Sequence, residues 1–351
     1  MKIAGENIII GSGIFGLSIA AHLSNLGQKV TVVDKSENPN EASSNALGRI
    51  DPILGGSGHG HETKPLPVAK KSLDAYKKFL NLDDETKKEI EFEIRPTIHF
   101  LEDDSQFKMI EDLIHQIDSE RNFFSIQNKA SIEIEKFINL SYFPSLSLFN
   151  GTIFINSKKY KTYLENECKK NGVNFIKDEI MDIHEIDNSP KLSGKYYSYA
   201  FEKLIVASGP WTKKLLGNSI KIDVYPSKGQ IVKLRDPDNK FTDLHLHGSC
   251  SVIKKKDDLI WIAATSEEKG FDKTITNQAK DFLIDSAKKM HNDIDQFPFH
   301  SQTACLRPQV ENDLPVIEKI SNSVYIASGG GGWGIMMSIM VGELIENEIN
   351  S

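Results

Sequence analysis

The sequence predicts an α/β protein with a second, α+β unit built on an antiparallel sheet. Three observations carry this. Residues 7–34 read strand, glycine loop, helix and strand in immediate succession. Residues 158–176 read helix then strand, and residues 324–345 read strand, turn and helix. Between these, residues 224–234 and 259–265 read as strands of an antiparallel sheet. At 351 residues the chain is long enough for two domains, or for one elaborate one.

The opening unit is the most specific. Residues 7–10 form a short apolar strand. Gly11-Ser12-Gly13-Ile14-Phe15-Gly16 then has the spacing G-x-G-x-x-G. Residues 17–26 follow as a helix stopped by Gly27. Residues 28–33 form a second strand, and Asp34 closes it, eighteen residues past Gly16. Gly11 permits a tight turn, Gly13 lets backbone N–H groups approach a pyrophosphate, and Gly16 lets helix and strand pack closely. A carboxylate at Asp34 can accept hydrogen bonds from ribose hydroxyls. The unit therefore reads as Rossmann-like and dinucleotide-binding; the competing reading is a βαβ unit whose glycines serve packing alone. The acid disfavours NADP, whose 2′-phosphate would meet its charge, and leaves NAD and FAD open.

The remaining elements follow in order. Residues 40–53 are small, polar and glycine-bearing, without helical or strand period, and such a loop can lie against a flat ring or a phosphate. Residues 67–80 read as an amphipathic helix with Val68, Leu73, Tyr76, Phe79 and Leu80 on its apolar side. Residues 92–101 read as a strand, 106–117 as a helix, 152–155 as a strand, 158–170 as a helix and 173–176 as a strand. Residues 204–207 form a strand ending in Ser208-Gly209-Pro210-Trp211. Residues 187–195 are the most polar linker and read as a hairpin tip; residues 277–291 read as a helix.

Composition excludes several classes. A net charge of −7 argues against a protein that coats nucleic acid. Three widely spaced cysteines, Cys168, Cys250 and Cys305, lack metal-ligand spacing and fit a reducing compartment, so the cytoplasm is the expected location. Residues 8–10 are too short for a signal peptide core. The apolar stretch 324–345 carries Gly329 to Gly332 and Gly334, which suits a buried strand, turn and helix rather than a membrane span. His59 and His61, and His245 and His247, alternate so that each pair shares a side if extended. No third ligand is visible for either pair, and no metal is expected. Residues 55–61 instead read as a substrate-gating loop or a solvated glycine loop. Nothing in the sequence specifies an oligomeric state.

Seven motifs, in order along nearly the whole chain, resemble the D-amino-acid oxidase family of FAD-dependent oxidoreductases, and most of all its glycine oxidase and sarcosine oxidase branch. They are the glycine loop with Asp34, then Ala42-Ser43-Ser44-Asn45-Ala46-Leu47-Gly48, then Lys203 to Gly209. Pro226-Ser227-Lys228-Gly229-Gln230 and residues 262–272 follow. Cys305-Leu306-Arg307-Pro308 with Asp313-Leu314-Pro315, and Ala327 to Ile335, complete the set. The resemblance implies FAD rather than NAD. It also implies a discontinuous, glutathione-reductase-type FAD-binding domain over 1–90, 145–220 and 300–351, with a substrate domain over 91–144 and 221–299.

The cofactor contacts it implies are Gly11, Gly13, Ile14, Phe15, Gly16, Asp34 and Lys35 of the opening unit. Ser43, Ser44, Asn45, Ala46 and Gly48 follow, then Ile180, then Ala207, Ser208, Gly209 and Trp211. Arg307 and the closing residues Gly330, Gly331, Gly332, Trp333, Gly334 and Ile335 complete them. A helix starting at that closing loop would stabilise the anion that forms on flavin reduction.

The implied chemistry is oxidation of the C–N bond of an amino acid or secondary amine, with hydride transfer to flavin N5 and hydrolysis of the imine. An amino acid needs a partner for its carboxylate, and arginine suits it. Arg307 is the first candidate; its alternative is a structural ion pair with Glu311 or Asp313. Arg49 is the second, for substrate or FAD phosphate, with a surface role as its alternative. His247 can touch an amine or an acid. The chain departs from the family pattern in two places. Gly330, Gly331 and Gly332 stand where a second arginine or a histidine is expected, and Cys250 and Ser251 stand where a tyrosine is expected. Both departures leave room for a larger or differently charged substrate. Two other functions fit the same motifs: C–N oxidation of a tRNA wobble-uridine side chain, suggested by residues 42–54, and a flavin-binding protein without catalysis. Oxygen or another molecule would take the electrons.

Overall fold

The computed structural model describes residues 2–35, 41–54, 63–128, 138–139, 141–143, 145–184, 191–311 and 314–351. Their strands form two sheets. In the first, parallel strands stand in the order Val324–Gly329, Ser198–Val206, Lys2–Ile10, Val30–Asp34 and Asn174–Lys177. Pro315–Lys319 adds an antiparallel edge, and Ile180–His184 joins through Lys191–Gly194.

The opening strand is buried on both faces, as parallel strands are. Ile9 enters the core beneath helix Ile14–Asn25, whereas Ile8 and Ile10 enter a second core with Leu216 and Ile220. The strand begins at Lys2 rather than at residue 7. Residues 2–5 pair with 198–201 in a half-exposed stretch, and Lys2-Ile3-Ala4-Gly5 carries no β-rich alternation to mark the strand. Spatial order reverses at Lys2–Ile10, with Val30–Asp34 on one side and Ser198–Val206 on the other. A crevice outside the carboxyl ends of such strands is where open α/β sheets take ligands.

The second sheet has the order Phe299–Gln309, Tyr225–Arg235, Leu259–Ala263, Ser251–Lys254, His245–His247, Glu93–Leu101, Ser145–Phe154 and Arg49–Ile50. It is not wholly antiparallel: His245–His247 runs parallel to Glu93–Leu101. The small-residue segment, expected to lack regular structure, supplies both the short helix Ala42–Asn45 and the edge strand Arg49–Ile50. Partners distant in sequence impose these elements; Arg49 and Ile50 pair with Phe154 and Ile153.

The two faces of this sheet differ. One carries Ile98, Leu246, Val252 and Ile262 into an apolar core with helix Asn277–Met290. The other carries a lateral row in register: Ile231, Ala263, Ser251, His247, His99 and Ser147. Every member of that row is buried, and four of the six are polar. His245 and His247 both lie on this face, as their alternation implies. Among the described residues, no helix is long and apolar enough to cross a membrane.

Candidate active site

The opening loop turns at Gly11, whose φ is +107°. A Cβ there would sit 2.4 Å from the Ala207 carbonyl oxygen, so only glycine fits between the two central strands. Ser12 donates to Asp34 Oδ2 from its backbone N (2.6 Å) and from its Oγ (2.9 Å). These bonds hold the carboxylate at the mouth of the loop. Ile14 N, in the first turn of helix Ile14–Asn25, donates to Ser43 Oγ at 3.0 Å. The small-residue segment is thereby drawn onto the helix N-terminus.

A groove of about 400 Å³ runs from this corner to the second sheet. Asp34, Lys35 and Trp211 line one end, with Glu41, Asp178 and Ile180 nearby. Gly11, Gly13, Ile14, Phe15, Ser43, Asn45, Ala46, Ala207, Ser208 and Gly209 line it along its length. Arg307, Gly331, Gly332, Gly334 and Ile335 line the other end, with Ile231, Ala263, Ala264, Cys305 and Leu306 as largely apolar walls. Gly16, Ser44, Gly48, Gly330 and Trp333 stand behind this lining rather than in it. Trp333 packs into the apolar core. Lys273 and Met181 line the groove without having been singled out in the sequence. Lys273 stands in an irregular segment that no local pattern encodes, and Met181 on the edge strand Ile180–His184.

Arg307 is held from two sides. Its Nη2 donates to the Thr265 carbonyl at 2.6 Å. Its guanidinium lies over Gly229, where a Cβ would be 2.7 Å from Nη1. The glycine of the P-S-K-G-Q strand therefore makes room for the arginine opposite. Burial pushes the neighbouring Cys305 thiol up, and its small side chain forms part of the wall.

Arg49 and His247 form a separate pair. Arg49 Nη1 lies 3.0 Å from His247 Nδ1, which also lies 2.9 Å from Ser251 Oγ. Arginine only donates, so the imidazole accepts here. Arg49 is half-buried; burial lowers its guanidinium below its ordinary range and Asp51 opposes the shift. Neither residue lines the 400 Å³ groove, but His247 is two places from the lining residue Ala263 along the polar row. Burial holds the neighbouring His245 well below its ordinary value, with Arg49 adding to the effect. Among the described residues, no group of three His, Cys, Asp or Glu side chains could hold a metal. His59, His61 and the proposed gating loop, like Asp313, lie outside the described residues.

The groove suits a long, two-ended dinucleotide. An acid stands at one end, a glycine loop at a helix N-terminus follows, and apolar walls close the other end. At Gly209 and Gly334 a Cβ would meet nothing within 4 Å, so the room there belongs to the groove.

A family model for FAD-dependent oxidoreductases matches residues 7–347. The chain belongs to that family. FAD is its cofactor, and it is an oxidoreductase of the amino-acid and amine oxidase group. Glycine oxidase of Geobacillus kaustophilus is 27% identical over 171 residues, which are 48% of this chain and 45% of that protein. D-amino acid dehydrogenase of Vibrio atlanticus is 24% identical across 98% of this chain and 96% of its own length. Among solved structures, the fold matches Geobacillus kaustophilus glycine oxidase with a TM-score of 0.85 at 20% identity, covering 99% of this chain and 95% of that one. Iminodiacetate oxidase from Chelativorans sp. BNC1 matches with a TM-score of 0.84 at 18% identity, covering 98% and 95%.

Proposed function

We propose that this flavoprotein oxidises the C–N bond of an amino acid or secondary amine to an imine, which water then hydrolyses. Bound FAD supplies, at N5, the acceptor for the hydride leaving the substrate carbon. The residues that would hold it are those of the glycine loop with Asp34, the segment around Ser43 and the closing glycines. The observation that carries the proposal is the placement of Arg307 at the apolar end of the groove, braced by Thr265 and backed by Gly229.

In this reading Arg307 binds the substrate carboxylate and fixes the α-carbon. Ile231, Ala263, Ala264 and Leu306 exclude water, which favours the neutral amine from which hydride is lost. Helix Gly334–Asn350 starts at the groove, and its N-terminal N–H groups supply partial positive charge there. Relatives named for glycine, D-amino acids and iminodiacetate support the substrate class.

The test is product analysis with glycine, N-methyl and N-carboxymethyl amino acids and D-amino acids, with oxygen and with an artificial acceptor. The expected products are an oxo acid and ammonia or a primary amine. Arg307→Ala should weaken substrate binding by roughly tenfold or more. Unchanged affinity would remove Arg307 from the site. FAD that none of these compounds reduces would refute the proposed reaction.

A further inference from the structure

Residues 267–276 connect strand Leu259–Ala263 to helix Asn277–Met290, and both ends close on one buried side chain. Gln230 Nε2 donates to Glu267 Oε1 (2.8 Å) and to Thr276 Oγ1 (3.1 Å), and Thr276 N donates to Gln230 Oε1 (3.0 Å). Lys228 and Glu267 exchange backbone hydrogen bonds of 2.9 Å each way. Midway, Lys228 Nζ, only 1% exposed, reaches Asp272 Oδ2 at 3.1 Å. Hydrogen bonds from Thr274 and Lys228 hold the Asp272 carboxyl down at about 2. A loop whose ends meet and whose middle is anchored is a compact, preformed Ω-loop.

The tip of this loop leaves its own sheet. The Phe271 ring, 45% exposed, lies 5.7 Å from Trp211, which belongs to the first sheet's side of the groove. Lys273 Nζ lies 5.9 Å from the same indole, over which Lys35 Nζ stands at 4.6 Å. Lys273 also lines the groove. Its charge reaches both walls: burial raises the Glu41 carboxyl, and Lys161 and Lys273 oppose the rise, while burial also raises the Cys305 thiol against Arg307 and Lys273. A cation from the second sheet is therefore suspended over a groove whose glycine-loop wall suits a diphosphate.

We propose that residues 267–276 form a strap that retains FAD, with Lys273 as an additional cofactor-binding charge and the Phe271–Trp211 contact as its clasp. The proposal rests on the FAD assignment. A diphosphate brings two negative charges into a groove already holding Asp34 and Glu41, and Lys273 with Lys35 compensates them. Because the loop is anchored by buried Gln230 and Lys228, it is held in place before the cofactor binds.

The test is the rate of FAD release from the purified holoenzyme after dilution, read as the rise in free-FAD fluorescence at several salt concentrations. Lys273→Ala and Phe271→Ala should each release FAD about tenfold faster, the loss of one charge-assisted or aromatic contact. Lys273→Ala should also flatten the salt dependence, and Lys273→Arg should restore it. Phe271 is exposed and Lys273 half-buried, so neither change disturbs a core. Wild-type release rates and salt dependence in both alanine variants would overturn the strap. A wild type that keeps no FAD would overturn the cofactor assignment and the strap with it.

Discussion

Gly229→Ala tests the site through the glycine that backs the Arg307 guanidinium. The new Cβ would lie 2.7 Å from Arg307 Nη1 and 2.9 Å from its Cζ, inside contact distance, so the guanidinium must move. The backbone of Gly229 has no positive φ, and alanine suits a strand interior better than glycine does. Fold stability should therefore change little. What is lost is the arrangement that includes the 2.6 Å bond to the Thr265 carbonyl. Hydrogen bonds to charged groups contribute about 1.5–3 kcal/mol. Misplacing the arginine should therefore weaken binding of a carboxylate substrate roughly ten- to hundredfold. Anaerobic titration, following flavin bleaching, measures that affinity, with FAD content and melting temperature as controls. Wild-type affinity in a variant that folds and binds FAD would refute the reasoning that Arg307 anchors the substrate.

Gly11→Ala forces a left-handed backbone and a 2.4 Å contact with the Ala207 carbonyl, backbone against backbone. It should cost at least about 2 kcal/mol and yield protein with little bound FAD, measurable by melting temperature and by visible absorbance per protein; wild-type values for both would contradict the loop geometry. Lys64 is 2% exposed, donates to the Asp51 carbonyl and lies 4.8 Å from the Trp333 ring. Burial, with Arg49 adding and Asp51 opposing, pushes its ammonium down to about 7. The unfolded chain holds that proton to about pH 10, so between about pH 7 and 10 it binds more protons than the folded chain and this group's contribution to stability rises with pH. Lys64→Met should raise the melting temperature near pH 6 and make its rise from pH 7 to 10 shallower; parallel curves for the two proteins would refute the burial argument.

The opening unit was legible because strand, glycine loop, helix and acid are contiguous and each obeys a local rule. The apolar face of helix Leu66–Leu80 was legible for the same reason, with Val68, Leu73, Tyr76 and Phe79 buried. The alternation of His245 and His247 correctly implied a shared face. It did not imply what that face meets. The contact of His247 with Arg49 joins residues 198 apart, through an edge strand of two residues too short to show a period. Only residues 267–272 of the strap fall within the motif 262–272, and the strap's position depends on Gln230 and Lys228 in another strand. Gly229 read as a motif letter until the structure set Arg307 against it.

The most direct measurement is the visible spectrum of the purified protein, followed by anaerobic addition of amino acids, N-substituted amino acids and D-amino acids. The account predicts stoichiometric FAD that one of these classes bleaches. A protein that cannot be reconstituted with FAD, or whose FAD none of them reduces, would contradict it.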